Sequence, residues 1–259
     1  MDRVRRSLAE AERVVVLTGA GVSVESGVPT FRGEEGLWRS HRPEQLATPA
    51  AFARDPRLVW EWYAWRRERV GGCRPNAAHR ALARWALSRP GVLIVTQNVD
   101  GLHGDAAIEA AGDRAPETAA WPIELHGSLF RVRCTGCGER RPHVAPIDTG
   151  SRASLPRCPD CGALLRPDVV WFGEPLEDRT IGRALAAARG CDACLVVGTS
   201  AIVHPAASVA VEAAHGGAVL VEVNPDPTPL SPLAGVSLRA TAATAVPRLL
   251  GGPNEAGPA

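Results

Sequence analysis

Short, largely apolar runs alternate along the chain with longer stretches of helical period. Val14–Leu17, Val92–Thr96, Ala193–Val197 and Ala218–Val223 are rich in β-branched residues and end at Gly or polar positions. Runs of this kind, without strict polar alternation, predict strands buried on both faces, as in a parallel sheet covered by helices. Pro122–Leu125 predicts a further short strand. Helical patterns are read over 2–12, 57–70, 76–88, 180–189, 205–215 and 245–250, and Pro49 and Pro56 stand at helix starts, where a missing N–H costs nothing. Residues 104–121, rich in Ala, Gly and Glu without a strong pattern, are expected to be an exposed excursion, part of it helical. Strands alternating with helices over the first and last thirds predict an α/β fold with a doubly wound parallel sheet. The polar stops at Gly19, Gln97, His126, Gly198 and Asn224 would then share the C-terminal strand edge, where such sheets bind ligands.

Composition narrows this only slightly. At 259 residues, 45% hydrophobic and 22% charged, the chain can bury a full core, either as one large domain or as one with a smaller satellite. A net charge of +1, with basic residues scattered among acids, gives no reason to expect nucleic acid or an anionic membrane as partner. Every basic residue is arginine, which we read as a compositional bias shared with the abundant Ala, Gly and Pro. Met1–Glu12 is charged rather than signal-like, and no apolar run approaches a membrane span, so a cytoplasmic protein is expected.

Candidate chemistry concentrates at the strand ends. The glycines of Gly19-Ala20-Gly21 let backbone N–H groups approach a ligand, and Ser23–Ser26 can open a helix whose N-terminus attracts an anion, so a dinucleotide pyrophosphate is expected there. The usual third glycine is absent, and no acidic strand end follows about 20 residues later to hold a ribose, so the dehydrogenase fingerprint is a poor match. The continuation through Ser26-Gly27-Val28-Pro29-Thr30-Phe31-Arg32 reads as a loop built to close over a ligand. His126, at a strand end, could act as a general base or be structural. Gln97, Asn98 and Asp100 could bond an amide and a ribose, or simply cap a turn. Cys134-x-x-Cys137 and Cys158-x-x-Cys161, with 20 residues between the pairs, match a zinc ribbon, whose four thiolates leave no open position on the metal. Cys191 and Cys194 have no partner pair and run into an apolar strand, so they are read as packing residues.

Together, Gly19-Ala20-Gly21-Val22-Ser23, Ser26-Gly27-Val28-Pro29 with Phe31-Arg32, Thr96-Gln97-Asn98-Val99-Asp100, His126-Gly127, the cysteine pairs, Val169–Glu174 and Gly198-Thr199-Ser200 resemble, in order, the motifs of the sirtuins. The resemblance covers about residues 10–250 and implies an NAD-consuming protein deacylase. It implies a Rossmann-like large part (about 1–32, 71–127 and 172–250) and a small part, made of a helical module (about 33–70) and a zinc module (about 128–171), with a disordered tail over 251–259. By the same resemblance, Gly19, Ala20, Gly21, Ser23, Ser26, Gly27, Pro29, Phe31 and Arg32 line the NAD site. Gln97, Asn98, Val99 and Asp100 face the nicotinamide and its ribose, while Gly198, Thr199, Ser200, Asn224 and Ala242 hold the rest. His126 matches the catalytic base, with Asn98 beside it, and one zinc is structural. In the implied mechanism the acyl oxygen attacks C1′ of the nicotinamide ribose and nicotinamide leaves. His126 then helps a ribose hydroxyl attack the resulting imidate, and water completes release of lysine and O-acyl-ADP-ribose.

Tyr63 and Arg66 lie at i and i+3 of a predicted helix, on one face. In the sirtuin branch that removes acidic acyl groups, such a Tyr-x-x-Arg pair holds the carboxylate of succinyl- or malonyl-lysine; Val170, Phe172 and Gly173 would contact the substrate. The expected partners are acyl-lysine proteins or peptides. Rival readings are a plain deacetylase, a mono-ADP-ribosyltransferase, and a non-catalytic NAD or ADP-ribose binder. The segment from Gly104 to Trp121 departs from the family by lacking the expected Arg-Ala-Gly, and Trp65 stands where other aromatics are common.

Overall fold

A computed structural model describes residues 2–28, 43–113 and 121–251. Its centre is a six-stranded parallel sheet built from β1 (Val14–Thr18), β2 (Val92–Thr96), β3 (Ile123–Glu124), β7 (Ala193–Val197), β8 (Val219–Val223) and β9 (Val236–Leu238), in the order β3-β2-β1-β7-β8-β9. Two faces of this sheet explain the unbroken apolar runs. Val14 and Val16 point into a core with α1 (Asp2–Glu10), α5 (Ala77–Ser88) and α9 (Ala242–Leu250), while Val15 and Leu17 join a second core with α7 (Asp178–Arg189) and α8 (Ser208–His215). The period of two is present, but both phases are apolar because helices cover both faces.

A third core unites the helical and cysteine-bearing segments. α2 (Pro43–Leu46), α3 (Pro49–Arg54) and α4 (Pro56–Gly71) pack on an antiparallel sheet of order β5-β4-β6, formed by β4 (Gly127–Cys134), β5 (Arg140–Pro142) and β6 (Leu165–Val169). The prolines do start α3 and α4: the Thr48 hydroxyl accepts from Ala51 N and the Asp55 carboxylate from Leu58 N, supplying acceptors for otherwise orphaned first-turn donors. Trp60, fully buried on α4, donates its indole N–H to the Leu165 carbonyl at 2.9 Å and so ties the helical module to β6.

The expectation of an exposed excursion after residue 104 is corrected. Leu102–Ala111 form α6, whose Leu102, His103, Gly104, Ala106 and Ala107 are buried, and the helix packs along α5. Small residues allow that close approach while giving little apolar contrast between faces. The helix expected over 205–215 starts only at Ser208, and β9 was not foreseen. Residues 114–120 and the tail from 252 onward lie outside the described residues. Among the described residues, no helix is long and apolar enough to cross a membrane.

Candidate active site

The strand order reverses between β1 and β7, the point at which sheets of this kind bind ligands, and the Gly19–Gly21 and Gly198–Ser200 loops meet there at the C-terminal edge. Gly19 N donates to the Val197 carbonyl at 3.1 Å, and Gly21 N donates to the Gly198 carbonyl at 2.8 Å. A Cβ on Gly21 would stand 2.7 Å from that same oxygen, and Gly198 has φ +58°. These glycines therefore let two loops close on each other, and both amides thought to approach a ligand are engaged within the protein. Ala20–Ser26 form a 3-10 segment that ends in left-handed Gly27. Glu25 reaches α9: its carboxylate accepts from Thr241 Oγ1 at 3.0 Å and Ala243 N at 2.8 Å, capping a helix that Thr241 itself leaves uncapped.

Beside these loops lies a buried polar network. Ser23 Oγ donates to Asp100 Oδ2 at 2.8 Å and accepts from Asn98 Nδ2 at 3.0 Å, while Asp100 Oδ1 accepts from Leu102 N. His79 Nε2 lies 3.3 Å from Ser23 Oγ. Because His79 Nδ1 accepts from Asn76 N, Nε2 carries the ring proton and donates to the serine. Burial, with His103 and Arg80 nearby, pushes the His79 pKa down to about 2, so the ring is neutral. Burial raises the Asp100 pKa against the opposing pull of Leu102, Ser23, Arg66 and Asn98. Gln97 Nε2 donates to Thr199 Oγ1 at 2.9 Å, linking the ends of β2 and β7.

His126, half-buried at the end of β3, places Nδ1 2.8 Å from the Gln97 carbonyl. A carbonyl can only accept, so Nδ1 carries the proton and Nε2 keeps its lone pair. Burial lowers its pKa, although the Gln97 carbonyl favours the charged ring, and the neutral form prevails at neutral pH. On the other side of His126, its carbonyl accepts from Val170 N at 2.9 Å, which joins the histidine to the Trp171-Phe172-Gly173 turn. Phe172 is exposed and Gly173 has φ +84°. Trp171 donates its indole N–H to Tyr63 Oη at 2.8 Å, and Phe172 N donates to the Ala47 carbonyl, so the helical module is fastened to the same turn. Burial pushes the Tyr63 pKa up to about 12, so it is a neutral hydroxyl whose own proton can still be donated. The Arg66 guanidinium lies 4.9 Å from the Trp62 ring centroid and 6.0 Å from that of Tyr63; burial lowers its pKa, and Tyr63 and Asp100 oppose this.

The structure thus gathers Ser23, Gln97, Asn98, Asp100, His126 and Thr199 around one edge. The Val99 side chain packs into the third core and its carbonyl accepts from Leu129 N; Ala242, the first residue of α9, is buried in the first core. Ser26 Oγ accepts from Asn76 Nδ2, Asn224 Nδ2 donates to the Asp226 carbonyl, and Ala20 and Ser200 are half-buried. Pro29, Phe31 and Arg32 lie outside the described residues. His79 and His103 escaped the sequence reading; the one local sign was Asn76 three residues before His79, a reciprocal helix cap.

The four cysteine Sγ atoms all lie within 4.8 Å of one another, with Cys134–Cys161 at 3.3 Å and Cys137–Cys158 at 3.7 Å. Tetrahedral zinc with Zn–S bonds of about 2.3 Å sets sulfurs about 3.8 Å apart, so the cluster fits a closed, structural zinc site. The Gly136 and Cys137 amides donate to Cys134 Sγ, supporting it as a thiolate ligand.

Comparison with known proteins gives a consistent result. The Sir2 family model matches residues 19–205. The NAD-dependent protein deacylase of Thermus thermophilus is 50% identical over 254 residues, spanning 96% of this chain and 94% of that protein. NAD-dependent protein deacylase 1 of Archaeoglobus fulgidus is 47% identical over 256 residues, with 96% of each covered. The crystal structure of a Sir2 homologue–NAD complex superposes with a TM-score of 0.85 at 46% identity, over 96% of this chain and 92% of that one. A Sir2 mutant with deacetylated p53 peptide and 3′-O-acetyl ADP-ribose gives 0.82 at 27% identity, with 97% of each chain covered.

Proposed function

The chain belongs to the Sir2 family, and from that premise we propose that it is an NAD-dependent protein-lysine deacylase that favours acidic acyl groups such as succinyl and malonyl. The observation that carries the reading is His126, neutral, with Nδ1 fixed on the Gln97 carbonyl and Nε2 left as a base at the sheet edge. NAD, as co-substrate, supplies the ADP-ribosyl group that takes up the acyl chain when nicotinamide leaves. Asn98 and Asp100, held by Ser23, orient the nicotinamide end, and His126 Nε2 accepts the proton of a ribose hydroxyl. The Tyr63–Trp171 bond sets the phenol against the turn that bears Phe172 and Gly173.

Acidic acyl preference rests on Tyr63 and Arg66, a neutral O–H donor and a guanidinium on one helix face, close enough to Asp100 for Arg66 and the carboxylate to shift each other's pKa. Such a pair can bond both oxygens of an acyl carboxylate, whereas an acetyl group offers it no carboxylate. The test compares kcat/KM for succinyl and acetyl versions of one peptide with NAD, in the wild type and Arg66→Met. Succinyl turnover should exceed acetyl turnover, and the variant should lose about a hundredfold on succinyl while changing little on acetyl. Equal values on both peptides, or an unaffected variant, would contradict the preference; no nicotinamide release with either would contradict the deacylase.

A further inference from the structure

We propose that His103 is a positioning residue for Asn98, acting through the hydroxyls of Thr18 and Thr96. The proposal rests on the reading of Asn98 as a group at the nicotinamide end of the site. His103 lies on α6, one helical turn past the Asp100 loop, and is 3% exposed. Its Nε2 is 2.9 Å from Thr18 Oγ1, and Thr18 Oγ1 donates to Thr96 Oγ1 at 2.8 Å. With the threonine proton committed to Thr96, Thr18 can only accept from the imidazole, so His103 carries its proton on Nε2. Thr96 Oγ1 also accepts the backbone N–H of Asn98 at 3.1 Å. A directed chain therefore runs from His103 through Thr18 and Thr96 to the Asn98 main chain.

A second route reaches the side chain of the same asparagine. The His103 ring meets that of His79 edge-on, with centroids 4.7 Å apart, and His79 donates to Ser23 Oγ, which accepts Asn98 Nδ2. Thr18, Ser23, His79, Thr96, Asn98, Asp100 and His103 are all buried. In so dry a setting, an apolar side chain at 103 would pack without the cost of desolvating an imidazole; what the histidine adds is a donor and a flat face. Both act on Asn98, one through its backbone and one through its amide. Local sequence could not reveal this, because the three strand-end and helix positions meet only when β1, β2 and α6 are assembled.

The test uses His103→Phe, His103→Gln and Thr18→Val. Phe keeps the ring volume without the donor, Gln restores an N–H near the Nε2 position, and Val keeps the Thr18 shape without its hydroxyl. Two quantities are followed: amide hydrogen exchange at Asn98 in the free protein, and kcat and KM for nicotinamide release with NAD and an acyl-lysine peptide. The expected result is exchange at Asn98 accelerated about tenfold and kcat lowered about tenfold in both His103→Phe and Thr18→Val, with peptide KM unchanged. His103→Gln should recover most of both, and the double variant should be no worse than either single, since both break one chain. Unchanged Asn98 exchange and kcat in Thr18→Val would overturn the proposal. So would losses in His103→Phe that follow only a lower melting temperature. A wild type that releases no nicotinamide would refute the deacylase reading instead, and the exchange measurement would still decide the role of His103.

Discussion

In the proposed reading His126 serves as a base because its surroundings keep it neutral: burial lowers its pKa, and the Gln97 carbonyl fixes which nitrogen is open. The sign of the pH dependence follows. The active form is the deprotonated one, so kcat/KM should rise with pH through a value below the ordinary histidine pKa of about 6.5 and stay flat above it. A profile whose acid limb lies above that value would contradict the assignment. Replacing His126 with Ala should lower kcat by about 10² to 10⁴ with little change in NAD binding, measured by titration calorimetry. At this scale the outer layer of the site was legible, because Gln97, Asn98, Asp100 and His126 all stop predicted strands. The inner layer was not: Thr18 and His103 carry no local signal, since their meaning comes from contacts made across three elements.

Elements were read well where packing is one-sided in kind and poorly where it is mixed. The main strands were found because both faces are apolar, yet β6 is buried throughout with Arg166 and Asp168 in its middle. These charges are paired, Arg166 with Glu174 at 2.5 Å and Asp168 with Arg131 at 3.1 Å, so the strand's apolar period is hidden by ion pairs. Glu25 is the clearest case of a residue whose role lies in joining elements. It ties the 3-10 segment behind Gly19–Gly21 to the start of α9. Glu25→Ala should cost about 1 kcal/mol by denaturant unfolding, as lost helix caps do, and should loosen amide protection over the first turn of α9. Glu25→Gln, which keeps an acceptor, should recover much of it. Unchanged protection in the Ala variant would rule out the cap.

Across the whole molecule, the Rossmann-like sheet, the helical module and the cysteine module meet around one turn. His126 stands between β3 and β4, β4 starts at Gly127, β6 returns beside it, and Trp171 and Phe172 bond to Tyr63 and Ala47. The small module therefore sets one wall of the site although its cysteines stand at the far end of β4. Metal removal should be felt there: a chelator, or Cys158→Ser, should abolish one equivalent of bound zinc, shift the fluorescence of buried Trp60, and lower the melting temperature by on the order of 10 °C. Intact Trp60 emission without metal would argue against a structural site. The parallel sheet was legible because its runs repeat with helices between them; the shared core of the two small modules was not, because Trp60 and Tyr63 lie far in sequence from Leu129 and Leu165. Deacylation of acidic acyl-lysine is read most directly from the products formed from NAD and a succinyl-lysine peptide, separated and weighed by mass spectrometry. One nicotinamide and one O-succinyl-ADP-ribose are expected for each lysine freed. Free succinate without NAD consumption, or ADP-ribose attached to protein while the peptide keeps its acyl group, would contradict it.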